Sequence, residues 1–332
     1  MKDTVYAIED MFFSPYAKKS IETIGRKRQE EPCPMRTDFQ RDRDRIIHSK
    51  AFRRLKNKTQ VFIAPFGDHF RTRMTHTYDV AQIARSITRA LNLNEDLAEA
   101  IALGHDLGHT PFGHIGERTL ANLTNGYFKH NEQSVRVVEV LENDGAGLNL
   151  TGEVIDGIKN HRSDGNPSTL EGKAVMFADK IAYINHDLDD AIRAKIITPD
   201  NLPQDAVKLL GQTPTKRINT MITAIVEQSL NQPKLTISSD IEYAMKIMRD
   251  YLFKYIYTDD GGNRDSDKAD ALLSYLYKHF YNHCDEMPDE FKKLLDSYDK
   301  YIVVCDFVAG MSDTYAIAMF KNLTLPRTKD SI

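Results

Sequence analysis

The residues best suited to chemistry in this chain fall between positions 105 and 117, where three histidines and two carboxylates occur within thirteen residues. They are His105, Asp106, His109, His114 and Glu117. An adjacent His-Asp pair at the inner end of a helix offers one nitrogen and one oxygen to a single point. That mixed donor set suits Mn, Fe, Co, Zn or Mg. The alternative is a helix C-terminus whose polar residues fray into a glycine loop.

Two neighbouring helices offer further ligands to the same ion. His76 lies on the apolar stripe of a helix predicted at 75–91, where a buried imidazole needs either a metal or a hydrogen-bonding partner in the core. Asp179 lies on a partly apolar face of a later helix. Together with His105 and Asp106, these residues would leave positions open for water and a substrate oxygen on an octahedral ion.

The elements that must position these residues are helices, because apolar residues recur at helical spacing and few runs alternate at period two. The spacing of Ser168 and Glu171 is that of a capping box, which opens the helix carrying Asp179. We predict an all-α fold, built as one domain outward from a central helical bundle and ending in a loose tail at 326–332. The predicted helices span 38–56, 75–91, 92–107, 128–142, 153–160 and 168–195, then about 205–230, 239–257, 267–281 and 289–321, with breaks at Pro and Gly.

The composition describes a soluble globular protein. Of the 332 residues, 41% are hydrophobic and 28% are charged, and no apolar run reaches membrane-spanning length or resembles a signal peptide. Cys33, Cys284 and Cys305 are far apart and match no metal-binding spacing, which indicates free thiols in a reducing compartment. We expect a cytoplasmic protein with no membrane partner.

The charge is unevenly distributed along the chain. The net charge is −4, yet residues 36–58 hold nine bases and three acids, which leaves that segment at +6 and the remainder at −10. A basic segment on an acidic protein suggests a compact anion such as a polyphosphate. A solvated helix laced with Asp–Arg pairs would have the same composition. The sequence leaves both interpretations open.

Six segments, in this order, resemble one family. The order His76, His105-Asp106, Asp179 is similar to that of the HD superfamily of metal-dependent phosphohydrolases. All six segments together resemble the bacterial dGTPase-like dNTP triphosphohydrolases, and the eukaryotic SAM- and HD-domain dNTP triphosphohydrolase shares the same core. The segments are 39–62, 73–76, 105–117, 128–134, 178–183 and 305–315.

This resemblance covers residues 36–195 and 300–322, whereas nothing specific is recognised between about 200 and 300. It implies an HD-domain helical bundle with additional C-terminal helices. The chain 1–332 would then be a single α-helical domain with an HD catalytic core at 36–195 and a helical extension at 196–332.

The resemblance also implies a reaction, in which a dNTP and water give a deoxynucleoside and inorganic triphosphate by attack at the α-phosphorus. It implies a divalent metal, with Mn, Mg, Fe, Co and Zn all open. The implied metal ligands are His76, His105, Asp106 and Asp179.

Four further residues are implied to do catalytic work. His114 is the candidate general acid to the sugar 5′-oxygen, and Glu117 would orient its imidazole if this segment is helical. His109 and His130 would contact the α-phosphate as donors. The alternatives are loop polarity around Gly and Pro for His109 and His114, and a core histidine for His130.

The substrate contacts implied by the resemblance come from several segments. Arg73 and Lys180 would hold phosphate oxygens, and Gln60 and Asp187 would bond the sugar 3′-hydroxyl. Tyr183 would pack on the sugar and leave no room for a 2′-hydroxyl. Arg54 either faces phosphate or is salt-bridged elsewhere. The alternatives for Tyr183 and Lys180 are a core tyrosine and a surface lysine.

The leading hypothesis is thus a dNTP triphosphohydrolase whose base preference, dGTP included, does not carry over from the family. Two other readings stay open. One keeps the HD site but changes the nucleotide, as in a 5′-nucleotidase or a signalling-nucleotide hydrolase. The other is a nucleotide- or single-stranded-DNA-binding module with little turnover. The family resemblance further implies a homo-oligomer (dimer, tetramer or hexamer) and, in some members, a regulatory nucleotide.

Overall fold

The computed structural model describes residues 2–61, 70–257 and 266–326. Within them the chain forms sixteen α-helices and no strand pairing beyond two isolated bridges, so the predicted all-α fold is confirmed. Residues 327–332 of the predicted tail lie outside the described residues, as does Phe62 at the end of the segment 39–62. The helices are α1 (Lys2–Phe12), α2 (Asp38–His48), α3 (Lys50–Arg54), α4 (Arg73–Ala90), α5 (Glu95–Gly104), α6 (Gly113–Leu123), α7 (His130–Arg136), α8 (Gly152–Lys159), α9 (Leu170–Arg193), α10 (Gln204–Leu210), α11 (Pro214–Ser229), α12 (Ser239–Leu252), α13 (Ser266–Asn282), α14 (Asp289–Lys292), α15 (Lys300–Ala309) and α16 (Asp313–Thr324).

The prediction of one helix over 38–56 is wrong, because the chain turns at Ser49. The backbone of Ser49 is extended, with ψ of 155°. Its hydroxyl donates to the carbonyl of Ile46 at 2.7 Å and accepts from the amide of Phe52 at 3.1 Å. Ser49 therefore ends α2 and caps α3, which is the local role that serine favours over a helix interior.

The predicted capping box at the start of α9 is also wrong. Thr169, one residue after Ser168, is the N-cap and accepts from a backbone amide in the first turn. The Glu171 carboxylate does not return to the cap. Instead it accepts from the amides of Lys18 and Asn94, at 2.9 and 3.0 Å, and so ties the N-terminal segment to α9.

The first hydrophobic core lies among α4, α5 and α9, with α2 and α8 packed against α5. Ile87, Leu97 and Ile181 are fully buried in it. Gly104 lets α8 approach the end of α5, since a Cβ there would lie 2.5 Å from Cδ1 of Ile158. This packing brings the start of α4, the end of α5 and the middle of α9 together.

A second hydrophobic core lies among α6, α13, α15 and α16, where Leu120, Leu273 and Val304 are fully buried. The helices α11 and α12 pack on α9 instead, and α10 packs on both of them. The C-terminal helices therefore contact both α9 and α6. The division into a core at 36–195 and an extension at 196–332 stays a prediction.

Among the described helices, no single one is long and apolar enough to cross a membrane. The helices α15 and α16 reach that length and composition only when taken as a pair, and they are bent by 115° at the break between them. From Val303 to its end, α15 is buried within the protein.

Candidate active site

One cavity of about 520 Å³ collects most of the residues that the sequence singles out. The described residues that line this cavity include every predicted site residue except His105 and Arg54. Arg249 on α12 also belongs to the lining. The predicted residues in the lining are Gln60, Arg73, His76, Asp106, His109, His114, Glu117, His130, Asp179, Lys180, Tyr183 and Asp187.

Four residues at one end of the cavity, His76, His105, Asp106 and Asp179, form what we call the metal group. Ligand atoms of the first three lie within 4.8 Å of one another. Nε2 of His76 lies 3.3 Å from Nε2 of His105 and 3.2 Å from Oδ1 of Asp179. The carbonyl of Ala102 accepts a bond from Nδ1 of His105 at 2.6 Å, so Nε2 of that ring keeps its lone pair. These converging nitrogen and oxygen atoms fit a divalent cation.

The electrostatics of the metal group keep its carboxylates ionised. Burial raises the pKa of Asp106, but the Arg73 guanidinium and the surrounding histidines outweigh it and hold that pKa well below its usual range. Nη1 of Arg73 lies 2.7 Å from Oδ2 of Asp106. In Asp179, burial is likewise outweighed, by the hydrogen bond to His76, and the pKa is lowered. Two ionised carboxylates, one buried on Asp106 and one half-buried on Asp179, suit a cation site, because metal ligands must be deprotonated.

Next to the metal group lies a set of imidazoles that we call the histidine cluster: His109, His114, His130 and His161, with the carboxylate of Glu117. The rings of His109 and His130 stack with centroids 4.5 Å apart. Nε2 of His130 lies 3.2 Å from Nε2 of His161. The segment around Glu117 is helical (α6), but its hydrogen bond goes to Nδ1 of His130 at 2.8 Å. Its effect on His114 is a Coulombic one.

Charges inside the histidine cluster favour different protonation states. In Glu117, burial is outweighed by the hydrogen bond to His130, which lowers the pKa to about 2. Desolvation and then Arg73 lower the pKa of His114, while Glu117 raises it. Burial and Arg73 push the pKa of His109 well below its usual range, so this ring is neutral. Nδ1 of His109 has no hydrogen-bond partner among the described residues and is available to a ligand.

The polar face of α9 forms another part of the cavity lining. Lys180, Tyr183 and Asp187 line it at helical spacing. Burial and then Arg249 lower the pKa of Lys180. Burial raises the pKa of Tyr183, which keeps its hydroxyl neutral. Oε1 of Gln60, which also lines the cavity, is buried without a hydrogen-bond partner in the described part of the chain, as is usual where a ligand completes the bonding.

The C-terminal segment anchors the loop between α5 and α6, which carries His109 of the histidine cluster. One oxygen of Asp313 accepts from the amide of Phe112 at 3.0 Å, and the other accepts from the amide of Thr59 at 3.0 Å. Phe112 has a φ of 59°, a left-handed conformation that costs energy for a bulky residue and needs such an anchor. Lys58 is buried and donates to the carbonyl of His109. Contacts from α16 and from the segment before Gln60 therefore meet at this loop.

The structure adds cavity residues that the sequence did not reveal. His161 follows the end of α8, Arg162 comes next, and Arg249 lies between residues 200 and 300, where the sequence analysis recognised no specific motif. His186 lies behind the metal group, with Nε2 2.7 Å from Nδ1 of His76. The signal available for His186 is its place on α9, seven residues after Asp179 and hence on the same face.

Arg54 and the basic segment lie apart from the cavity. Arg54 is half-buried in a separate recess with Glu142 and Glu290. Arg43 pairs with Asp96 and Glu99 at 3.1 Å each. The other ion pairs and carbonyl bonds of the segment are Arg36–Asp44, Arg41–Glu30, Arg45–Glu30, Lys50–Glu290, Arg53 with the His48 carbonyl and Lys58 with the His109 carbonyl. The segment is thus largely ion-paired, but mostly to acids elsewhere in the chain, such as Glu30, Asp96 and Glu99, rather than by the Asp–Arg pairs within one helix that its second interpretation expects.

Comparisons with known proteins show what this chain is similar to. A family model of the HD domain matches residues 73–184, and a model described as a phosphohydrolase-associated domain matches residues 235–322. A deoxyguanosinetriphosphate triphosphohydrolase-like protein of Caldanaerobacter subterraneus subsp. tengcongensis is 55% identical over 326 residues, covering 98% of this chain and 96% of the relative. One from Clostridium perfringens is 46% identical over 336 residues, with 98% of each chain covered.

A solved structure of a hypothetical protein from Aquifex aeolicus aligns with 84% of this chain and 67% of its own, at 21% identity and a TM-score of 0.47. That similarity is too low to support an argument. The match at 235–322 covers α12 to α16, the helices that bring Arg249 and Asp313 to the cavity and its loop.

Proposed function

This chain belongs to the family of deoxyguanosinetriphosphate triphosphohydrolase-like proteins, and from that premise we propose that it is an HD-domain phosphohydrolase that converts a dNTP to a deoxynucleoside and inorganic triphosphate. One observation carries the proposal: the metal group, the histidine cluster and the polar face of α9 line a single cavity. These three parts correspond to the three regions of a dNTP around the bond to be broken, namely the α-phosphate, the 5′-oxygen and the sugar.

The reaction breaks one phosphoester bond. The oxygen of water bonds to the α-phosphorus and the water gives up a proton, the bond from that phosphorus to the 5′-oxygen breaks, and the 5′-oxygen takes up a proton. A divalent cation held by His76, His105, Asp106 and Asp179 would supply the Lewis acidity that makes water nucleophilic near neutral pH. The donor set of two nitrogens and two carboxylates suits Mn, Fe, Co, Zn or Mg alike.

Proton delivery is assigned to His114. A sugar alkoxide is a poor leaving group and needs an acid beside it. The ring of His114 is exposed in the cavity and can reach a bound ligand. The negative charge of a triphosphate raises the pKa of a nearby imidazole and so offsets the lowering by Arg73. The negative charge of Glu117 also raises the pKa of His114.

Charge on the phosphate oxygens needs fixed donors that are in place before the reaction. Arg73 is anchored to Asp106 through Nη1, and its Nη2 has no hydrogen-bond partner among the described residues, so it can face a phosphate oxygen. His109 offers a neutral N–H, and His130 is held by Glu117. Lys180 adds a positive charge from α9.

The sugar is assigned to the wall formed by Gln60, Tyr183 and Asp187. Gln60 and Asp187 would bond the 3′-hydroxyl. Tyr183 would pack on the ring and exclude a 2′-hydroxyl, whose burial without a partner is costly. This wall is what favours deoxynucleotides, since the metal group and the histidine cluster by themselves would serve any phosphoester.

The test is product analysis. The purified protein is incubated with each dNTP, singly and mixed, with Mn²⁺ or Mg²⁺, and the products are resolved by chromatography. Asp106→Asn prepared in parallel serves as the control for contaminating phosphatases. Deoxynucleoside plus triphosphate is the expected result, and the ranking of the four bases gives the preference. Mono- or diphosphate products would contradict the proposal and indicate a 5′-nucleotidase or another HD phosphohydrolase.

The binding-module reading has less support, because the ion pairs within residues 36–58 occupy most of the charges that would attract single-stranded DNA. It predicts salt-sensitive oligonucleotide binding that survives loss of the metal ligands. A filter-binding titration of Asp106→Asn at two salt concentrations separates the two readings.

We also propose a homo-oligomer, and with it a regulatory nucleotide, on the family resemblance alone. Light scattering with and without dNTPs tests this proposal. A monomer under both conditions would contradict it.

A further inference from the structure

A half-buried cation without a partner lies away from the candidate active site. Arg54 is the last residue of α3, and its Nε is buried without a hydrogen-bond partner among the described residues. Its guanidinium forms no ion pair in the described part of the chain either. A guanidinium that gives up water without gaining another partner costs free energy. This cost points to a partner that the polypeptide does not supply.

The two acidic residues whose charges act on Arg54 already have partners of their own. The carboxylate of Glu142 accepts from the amides of Lys50 and Ala51, at 3.0 and 2.7 Å. The carboxylate of Glu290 lies 2.9 Å from Nζ of Lys50. Burial lowers the pKa of Arg54, and the charges of Glu142 and Glu290 offset only part of this effect. Neither carboxylate therefore replaces the missing partner.

A second cation adds to the positive charge near Arg54. Lys58 is 2% exposed, and burial holds its pKa well below the usual range. The charge of Arg54 lowers that pKa further, whereas the charge of Asp313 raises it. The two cations thus repel each other where water screens charge poorly. An anion bound at Arg54 would relieve this repulsion, and a neutral ligand would not.

Arg54 also lines a recess of about 290 Å³ that shares no described lining residue with the active-site cavity. We call it the Arg54 recess, and its other lining residues include Glu290, Phe291, Phe307, Met311 and Tyr315. The ring centroids of Phe291 and Phe307 are 5.1 Å apart. Met311 is 2% exposed. The lining therefore combines an unpaired cation with an apolar surface.

This lining restricts the class of ligand. A carboxylate matches the planar guanidinium of Arg54 and can accept two parallel hydrogen bonds from it. An apolar body would cover the aromatic surface of the recess. The charges of Glu142 and Glu290 disfavour an anion of several charges. The recess is also smaller than the active-site cavity, at about 290 Å³ against about 520 Å³, which disfavours a nucleoside triphosphate.

We propose that the Arg54 recess binds a small monocarboxylate with an apolar body, such as an aromatic or branched-chain acid. The carboxylate pairs with the guanidinium of Arg54, and the apolar part packs on Phe291, Phe307 and Met311. The inference does not rest on the proposed function, because the recess and the active-site cavity have separate linings.

A titration with benzoate tests this proposal on the Mg²⁺-loaded wild-type protein, labelled with ¹³C at the methionine methyl groups. Met311 reports on the Arg54 recess, and Met176 reports on the active-site cavity. Met311→Leu and Met176→Leu assign the two resonances. Benzoate should shift the Met311 resonance in a saturable way and leave that of Met176 unchanged. Benzamide, which has the same shape without the charge, should bind roughly 10-fold more weakly or worse.

Two variants then locate the charge that the carboxylate meets. Arg54→Gln should weaken benzoate binding roughly 10-fold or more, because a hydrogen-bonded ion pair is lost. Arg53→Gln is the matched control, since Arg53 is the exposed neighbour on the same helix, and it should bind benzoate as the wild type does. Inorganic triphosphate should leave the Met311 resonance unshifted.

Three results would overturn the inference. Equal affinity for benzoate and benzamide would show that Arg54 does not select an anion. A shift of Met176 without one of Met311 would place the carboxylate at the metal group. A shift of Met311 with triphosphate would indicate a polyphosphate site instead. If Arg54→Gln does not fold, the comparison of benzoate with benzamide in the wild type still decides, and an absence of dNTP turnover changes none of these measurements.

Discussion

The metal group and the histidine cluster share one cavity but are held in place in different ways. The residues of the metal group lie in or at the ends of α4, α5 and α9, which pack on one another around the first hydrophobic core. The histidine cluster lies on a loop, on the short helices α6 and α7 and just after α8, and α6 packs on the second core, which the C-terminal helices supply. The metal group therefore depends on helices that all lie before residue 194, whereas the histidine cluster also depends on C-terminal residues some two hundred positions away.

Two carboxylates from the C-terminal part make this dependence concrete. Asp313 accepts from Thr59 and Phe112, on either side of the loop. Asp306, fully buried on α15, accepts from Gln133 at 2.8 Å and lies 2.7 Å from Nη2 of Arg136, which braces α7. A change at either carboxylate should thus disturb the histidine cluster and spare the metal group.

The largest expected effect comes from breaking the metal group itself. Asp106→Asn removes a ligand charge and also leaves the buried Arg73 without its partner. We expect loss of stoichiometric Mn²⁺ and of activity by more than about 10³-fold, since metal Lewis acidity is worth several kcal/mol. Metal analysis and steady-state kinetics check this, with Asp200→Asn, an exposed aspartate, as the control. A variant that still holds one equivalent of metal would contradict the assignment.

The next effect comes from removing the acid of the histidine cluster. His114→Ala should lower kcat by about 10² to 10⁴-fold, because only proton delivery in the transition state is lost. Metal content and melting temperature should stay at the wild-type values, because the ring is exposed in the cavity. Turnover at the wild-type rate would show that another residue protonates the leaving oxygen.

A smaller effect is expected from the long-range anchor. Asp313→Asn replaces one accepting oxygen with a donor, so the amide of Thr59 or of Phe112 loses its partner. The loop should shift, and a displacement near 1 Å can cost roughly 10²-fold in kcat. Mn²⁺ affinity should stay unchanged. Asp299→Asn, at an exposed position before α15, is the control, and an equal loss of metal affinity would refute the contrast between the two regions.

The smallest effect on activity is expected at Glu171 on α9, the helix that carries Asp179. Its effect on the free energy of unfolding should nevertheless be clear. Burial raises its pKa to about 7 from 4.5. The folded protein therefore keeps this proton to a higher pH than the unfolded chain, and stability is lost as the pH rises from about 4.5 to 7. The loss amounts to about 3 kcal/mol by pH 8.

Glu171→Gln removes this titration. Its free energy of unfolding, measured by urea denaturation between pH 5 and 8, should fall less with rising pH than that of the wild type, while kcat stays the same. Parallel curves for the two proteins would show that Glu171 ionises normally in the folded state.

The fold was predictable to the extent that helical periodicity is a local property. The stripe containing His76 placed α4 within two residues of its observed start, and Asp179 lies on α9 as predicted. The errors arose where a side chain bonded to the backbone, either far along the chain or nearby, because helical periodicity does not register such bonds. Glu171 has the spacing of a capping residue, but it bonds Lys18 and Asn94. Ser49 ended a helix that periodicity alone would have continued.

The sequence by itself determined which residues are candidates for the chemistry, because metal ligands and acids are specific residue types at spacings that one or two helices fix. The tertiary structure decided their partners. It directed Glu117 to His130, placed His186 between Asp187 and His76, and brought Asp313 to the loop. These contacts depend on how two hydrophobic cores pack, and the spacing of residues along one helix carries no information about the helix that will lie across from it.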